Sequence, residues 1–416
     1  MAGGMADACM ARSNYAKVLP REVGRAVPRC EVSEAVMRGR ATKPIIPNIA
    51  FSAISGLLAC LLCGAPAQAE TKLPPVDDLL RDLKFTGDDW QKAKRGKIIE
   101  KSYSEGSDRE LSLGFTLLVK GKPEDVARMY RGAQDLKMIK VITAHVQVPG
   151  EGTLADFEKA VLQPNPEKEA DRYLDAEPGD TLNLDEKEIA AFQALKSPNE
   201  GKAVPVKEVE QLIRQNLLAR HQAYRAKGLA GLVPYQRSKD TRLSARDELL
   251  LATKQSVGLK KYVPTLYDVL ANYPAAKARL EQGEPAKSKD KKAAKGRKEP
   301  KDKEEQRRFE ESFHWFNVDI FGRPTFVLEH RLSMFVDYAF IAVERQYYAS
   351  HDYNSMQQIV AAIPTKDGTL LLYIGRVSTD QVAGLTSDAM HPVARAIAAP
   401  YIKDMFEAVR DRLEKK

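Results

Sequence analysis

Two apolar runs, residues 353–363 and 369–378, stand either side of Lys366-Asp367-Gly368. Asp-Gly between apolar strands is the strongest short-range hairpin signal that a sequence carries. With Asp367-Gly368 as a two-residue turn, Ile359, Ala361 and Ile363 share a face with Leu370, Leu372 and Ile374. The opposite face takes Met356, Val360 and Ala362 with Leu371, Tyr373 and Val377. Both faces are apolar. An antiparallel sheet with one solvated face shows polar residues there, so this sheet is expected to be covered twice.

Strand patterning extends on both sides of the insertion that divides the chain. Residues 313–321 and 325–331 flank Gly322-Arg323-Pro324, a second hairpin candidate, and 338–348 continue the series. Far upstream, Leu111, Leu113, Phe115 and Leu117 alternate with period two, the mark of a strand over 111–119, with a weaker candidate at 97–101. Gly121 ends the first, and Pro123-Glu124-Asp125 opens a helix whose inner face is Val126, Met129 and Tyr130. Another strand is expected over 139–148. A short amphipathic helix at 76–83 follows Pro74-Pro75.

From about 151 to 280 the period becomes helical. Asp185 caps a helix carrying Ile189, Phe192 and Leu195. Val209, Leu212, Ile213 and Leu217 form the stripe of a longer one ending at Gly228. Ser244-Ala245-Arg246-Asp247 resembles a capping box ahead of Leu249, and Tyr262, Leu266, Val269, Leu270 and Tyr273 mark a further helix. The chain closes with a helix over 389–413 bearing Val393, Ile397, Phe406, Val409 and Leu413, which Pro400 should kink.

This order of elements resembles the START-like, helix-grip superfamily of polyketide cyclases and lipid-transfer proteins. The resemblance rests on the strand 111–119, on Pro123-Glu124-Asp125-Val126 opening a helix, and on an antiparallel meander followed by one long C-terminal helix. It implies an α+β fold in which an antiparallel sheet wraps that last helix and leaves a cavity for lipids or other apolar molecules. It brings no shared catalytic residues. The resemblance covers residues 97–149 and 309–416. The expected organisation is therefore an N-terminal extension and signal over 1–69, the first part of the grip domain over 70–149, a helical insertion over 150–282, a disordered basic loop over 283–308, and the completing strands and helix over 309–416.

The N-terminal stretch reads as an export signal. Arg38, Arg40 and Lys43 precede an uncharged apolar core over 49–64, and Ala67-Gln68-Ala69 offers small residues for cleavage before Glu70. The core is shorter than the roughly 20 apolar residues of a spanning helix, so cleavage is favoured over anchoring, and no transmembrane segment is expected after processing. Leu57-Leu58-Ala59-Cys60 is an imperfect lipobox, which leaves a lipoprotein anchored at Cys60 as the alternative to a periplasmic protein. Met37 gives a signal of ordinary length and is the expected translation start. All four cysteines, Cys9, Cys30, Cys60 and Cys63, precede Ala69, so the mature chain of about 350 residues must be held by its core, and thiol and cysteine-metal chemistry are excluded.

The formal charge of +8 is unevenly placed. Residues 1–69 carry +4 and residues 286–308 carry +6, which leaves −2 for the rest. The basic excess is one aromatic-free tract, unlike the basic, aromatic-bearing face that nucleic acid requires, so nucleic acid is not an expected partner. A weak contact of the 286–308 loop with an anionic surface is the sharper reading of that tract.

Polar residues near the strand ends are the candidate site. Glu344, Arg345, Tyr347, Tyr348, His351 and Tyr353 stand together in sequence, and Gln357, Arg376, Asp380 and Gln381 come from neighbouring strand ends. With Tyr373, the residues Arg345, Tyr347, His351, Tyr353, Gln357 and Arg376 are expected at a pocket mouth. Arg345 and Arg376 would there suit a carboxylate or phosphate head. The competing reading sends Glu344 and Arg345 to opposite faces to pair across strands. The six histidines, His145, His221, His314, His330, His351 and His391, show no metal spacing, and no nucleophile elbow, Walker loop or dinucleotide fingerprint is present. No cofactor or metal is expected. The leading expectation is an exported carrier of an apolar or amphipathic small molecule such as a lipid. An enzyme using the Arg345/Tyr347/His351 neighbourhood in the same cavity, and a structural envelope protein, are the alternatives.

Overall fold

A computed structural model describes residues 73–179, 182–196, 203–282, 309–384 and 387–415. The signal core, the cleavage residues Ala67, Ala69 and Glu70, Met37, Cys60 and the basic loop lie outside the described residues. The elements are, in chain order, α1 (Val76–Asp82), α2 (Gly87–Lys94), β1 (Ile99–Ser102), β2 (Glu110–Val119), α3 (Pro123–Arg131), α4 (Gln134–Met138) and β3 (Ile142–Gln147). The insertion contributes α5 (Pro166–Leu174), α6 (Glu186–Lys196), α7 (Val206–Lys227), a small hairpin of β4 (Tyr235–Gln236) and β5 (Arg242–Leu243), α8 (Ala245–Gln255), α9 (Val257–Tyr262), α10 (Pro264–Asn272) and α11 (Ala275–Glu281). Then come β6 (Glu310–Ile320), β7 (Arg323–Val336), β8 (Ala339–Ala349), β9 (Ser355–Thr365), β10 (Gly368–Ser378) and α12 (Ser387–Glu414).

The fold is α+β, built on one eight-stranded antiparallel sheet in the order β1-β2-β10-β9-β8-β7-β6-β3. The first long strand, β2, therefore pairs with the last, β10, and the meander β6 to β10 fills the space between β2 and β3. Expected caps form. Asp185 and Glu188 bond each other's backbone N–H ahead of α6, and Ser244 accepts from Asp247 N ahead of α8. α12 runs through both Pro392 and Pro400. The strand expected over 139–148 is shorter, because a turn closed by Ile142 N–H on Ile139 O takes up its first residues.

The hairpin that anchored the sequence reading closes two pairing steps away from the expected register. Gly368 pairs with Thr365, so Lys366 and Asp367 are the loop, and Ile363 faces Leu370. Gly368 takes φ +138, where a Cβ would lie 2.5 Å from Val119 O, so only glycine lets β10 start against β2. The shift is even, so every side chain keeps its face. The first hairpin likewise turns on Phe321-Gly322, both at positive φ, and Arg323 and Pro324 begin β7.

Both faces are covered. On one, Trp315, Phe326, Leu328, Ile341, Val343, Ala361 and Leu372 pack with apolar residues of α1, α2 and the insertion helices into one large core. On the other, Phe115, Leu117, Phe340, Ala342, Leu371 and Tyr373 pack under α3 and α12 through Val126, Tyr130, Ala399 and Phe406. A separate small cluster, Leu136, Phe316, Val327 and Ala349, sits on this same side near α4.

Candidate functional site

The two apolar clusters on the α12 side are separate because a polar belt crosses the sheet between them. Cross-strand pairing places Ser312 (β6), Arg331 (β7), Glu344 (β8), Gln358 (β9) and Gly375 (β10) in one row. The next row is His314, Glu329, Gln346 and Met356. Residues two apart on a strand share a face, so Glu329 and Arg331 on β7 point the same way as Glu344 and Gln346 on β8.

Over this belt lies a cavity of about 510 Å³, roofed by α12 through Ala398, Tyr401, Ile402, Met405, Phe406 and Val409. α3 and α4 close one side with Met129, Tyr130 and Leu136. Such a volume falls in the range of small-molecule sites, as does the chemistry of an apolar wall with few polar groups.

The belt's charges centre on Arg331, which is 1% exposed. Its Nε donates to Glu329 Oε1 at 2.6 Å, and its terminal nitrogens donate to Asp135 of α4 at 2.7 and 3.2 Å. Glu344 Oε1 stands 3.2 Å from the same guanidinium. Gln346 donates to Glu329 at 3.1 Å, and Tyr353 donates to Gln346 at 2.6 Å. Three carboxylates thus share one cation. Burial pushes the Glu344 carboxyl up to about 8, with Glu329 and Asp135 adding to the rise and Arg331 opposing it. Beside the belt, His145 Nε2 meets His314 Nδ1 at 2.7 Å, and His314 Nε2 meets Ser312 Oγ at 2.9 Å. Burial first, then the nearby Arg331 charge, hold both imidazoles below their ordinary range, so they add no cation at neutral pH.

Among the seven expected mouth residues, Tyr353 and Tyr373 line this cavity, and Arg376 reaches its edge. Arg376 is bound to Glu110 at 2.9 Å and to Ser104 O at 3.2 Å. The others point elsewhere. Arg345, fully buried, faces the insertion and donates to Leu270 O, Thr253 Oγ1 and Gln357 Oε1 at 2.8–3.0 Å. Gln357 shares that network. Tyr347 stacks on Tyr224 with ring centroids 4.0 Å apart, and its hydroxyl lies 3.2 Å from His221. His351 is held by Asp352 at 2.5 Å and Pro324 O at 3.0 Å at the end of β8.

Glu344 and Arg345 do alternate to opposite faces. The alternation then breaks, because the β7–β8 register shifts between Leu328 and Glu329 and leaves Tyr347 unpaired. This bulge turns both Tyr347 and Tyr348 into the insertion-side core. Asp135, Glu329, Arg331, Gln346 and Gln358 were missed by reading along the chain. The available signal was a pair of polar residues two apart, Glu329/Arg331 and Glu344/Gln346, inside otherwise apolar strands.

A second, smaller cavity of about 210 Å³ lies on the insertion side, walled by Leu79, Leu83, Leu259, Val263, Ile359 and Ala361. Among the described residues, no group of three His, Cys, Asp or Glu is placed to hold a metal ion, and no helix is long and apolar enough to cross a membrane. No protein family, curated protein or solved structure matches the chain.

Proposed function

We propose that this chain is an exported carrier of an apolar or amphipathic small molecule, held in a helix-grip cavity between the sheet and α12. The observation that carries the reading is the 510 Å³ cavity with its apolar walls and single polar belt. The grip reading is supported by chain order: β2, the helix pair α3 and α4, β3, a five-strand meander returning to β2, and then one 28-residue helix over the sheet. None of Arg345, Tyr347 and His351, on which an enzymatic reading would draw, lines the cavity. The carrier reading therefore stands first.

Export and release in the periplasm complete the proposal, since the apolar N-terminal core and Ala67-Gln68-Ala69 form a signal-like pattern. Organic extraction of the protein purified from its exporting cell, followed by mass spectrometry, is expected to yield a stoichiometric apolar molecule. The neutral fluorescent probe N-phenyl-1-naphthylamine is expected to bind once the protein is stripped. An empty extract together with no probe binding would rule the carrier out.

A further inference from the structure

We infer that the cavity takes an apolar molecule with a cationic, amine-type head, seated where Glu344, Gln358 and the Tyr373 hydroxyl meet. The inference rests on the carrier reading and names the class of its ligand. It reverses the sign that Arg345 and Arg376 suggested from sequence.

The belt sets Asp135, Glu329 and Glu344 against Arg331 alone. Arg331 spends its shortest hydrogen bonds on Glu329 and Asp135, so Glu344 is the least compensated of the three. Arg376, the other cation at the wall, is paired with Glu110 through one terminal nitrogen, while its buried Nε makes no hydrogen bond among the described residues. Even with the Glu344 carboxyl raised to about 8, Asp135 and Glu329 outnumber Arg331 in the belt, so an anionic head would add to a negative excess at a site where burial makes each unpaired charge costly, whereas an ammonium can draw the proton off Glu344. A cationic head supplies what the belt lacks.

Independently of the acids, polar groups are left without partners among the described residues. Tyr373 is 6% exposed, yet its hydroxyl makes no hydrogen bond among the described residues. It lies across Gly375, where a Cβ would stand 2.4 Å from the oxygen. Glycine there clears the row that continues through Gln358 to Glu344. The half-buried Gln358 side chain also lines the cavity. The Tyr130 hydroxyl, 8% exposed on the adjoining wall, has no partner either. Buried polar groups are nearly always satisfied, so the partnerless Tyr130 hydroxyl, with Tyr373 and the half-buried Gln358 lining the same cavity, marks the place of a ligand's polar end. The hydroxyl and amide groups can donate or accept, and their oxygens can accept beside the Glu344 carboxyl from the three donors of an ammonium.

The test is competition for bound N-phenyl-1-naphthylamine by decylamine, decanol and decanoate at pH 7, which share one chain and differ only in the head. Decylamine is expected to bind about tenfold or more tighter than decanol, the scale of a hydrogen bond to a charged group, and decanoate weakest. Glu344→Gln should bring decylamine down to the affinity of decanol while leaving decanol unchanged. Gln358→Glu, which adds an acid to the row, should widen the preference for the amine, a gain that misfolding cannot produce. Equal binding of amine and alcohol in the unaltered protein, or tightest binding of decanoate, would overturn the inference and leave the carrier standing. Failure of the probe and all three chains would instead bring down the carrier reading, and this one with it.

Discussion

The two faces of one sheet solve the problem of buried polarity in opposite ways. Toward the insertion, polar side chains are enclosed and engage each other: Arg345 with Thr253, Gln357 and Leu270 O, and Tyr224 with His330 at 3.1 Å, amid stacked aromatics. Toward α12, the polar belt faces a cavity: Gln346 and Tyr353 are bonded within the belt, but the Tyr130 hydroxyl on the wall is left without a partner among the described residues. The same strands supply both faces, so strand propensity does not explain the difference. What differs is the cover. Several helices can fit many side chains to the insertion face, whereas α12 and the α3–α4 pair leave a gap over the sheet. A face that is packed serves stability, and one that is left open has room for a ligand.

The largest blow to the comparison should come from the packed face. Trp315 is fully buried, stacks on Phe157 at 5.9 Å and donates to Asp156 O at 2.7 Å. Trp315→Ala should cost about 3–5 kcal/mol of unfolding free energy in urea, with probe binding kept in whatever fraction stays folded. A loss below about 1 kcal/mol would mean that this face is not close-packed. Next comes a matched pair of enlargements. Val343 points into the insertion-side core and Val360 into the cavity. Val343→Phe should cost about 1–3 kcal/mol by overpacking. Val360→Phe should fall within about 0.5 kcal/mol of the unaltered protein and abolish binding of N-phenyl-1-naphthylamine. Equal costs at the two sites would erase the contrast.

Much of the architecture is legible in the chain, because period-two alternation states which residues share a face without needing the register. That is why a hairpin shifted by two still leaves Ile359 and Val360 on their expected sides. Caps are similarly local, and Asp185 and Ser244 announce themselves within three residues. The site was harder, because its members meet across strands. Arg331 and Gln358 are 27 positions apart in sequence yet lie in the same row of the sheet, two strands apart with Glu344 between them. Arg345 looked available for a ligand because its acceptors, Thr253 and Leu270, lie 92 and 75 residues upstream in the insertion. The Tyr347–Tyr348 bulge is a further case, since a single extra residue reverses the alternation and carries no local mark.

A smaller effect should distinguish the faces by pH. Glu344 meets Arg331 and Glu329 from β7, Asp135 from α4, Tyr130 from α3, and Tyr373 from β10; the neutral His145–His314 pair lies beyond Arg331. Its carboxyl titrates near 8 when folded, above the ordinary carboxylate range, so between those values the folded state binds more protons than the unfolded one. Stability from this group is therefore present at low pH and lost as pH rises toward 8. Urea unfolding of Glu344→Gln relative to the unaltered protein should show the variant gaining relative stability from pH 5 to pH 8. A difference independent of pH would place Glu344 outside the buried belt. The same linkage makes decylamine binding tighten over that range, because seating the ammonium favours the ionised carboxyl.

The smallest effect on stability should be the most specific for the open face. Tyr373→Phe removes one hydroxyl that makes no hydrogen bond among the described residues, and keeps the ring packed on Phe115 and Phe406 at 6.3 Å. Deleting a bonded buried hydroxyl strands its partner and costs about 1–3 kcal/mol, but here no partner is stranded. The expected change in unfolding free energy is within about 0.5 kcal/mol. If the hydroxyl serves a ligand's head, the loss appears in binding instead: decylamine should weaken several-fold, by the roughly 0.5–1.5 kcal/mol of one hydrogen bond, while decanoate stays weak. Tyr347→Phe is the control on the packed face, where the hydroxyl contacts His221, and it should cost stability without touching the amine preference. Should Tyr373→Phe destabilise the protein as much as Tyr347→Phe and leave binding alone, the two faces would have to be read as one kind of core.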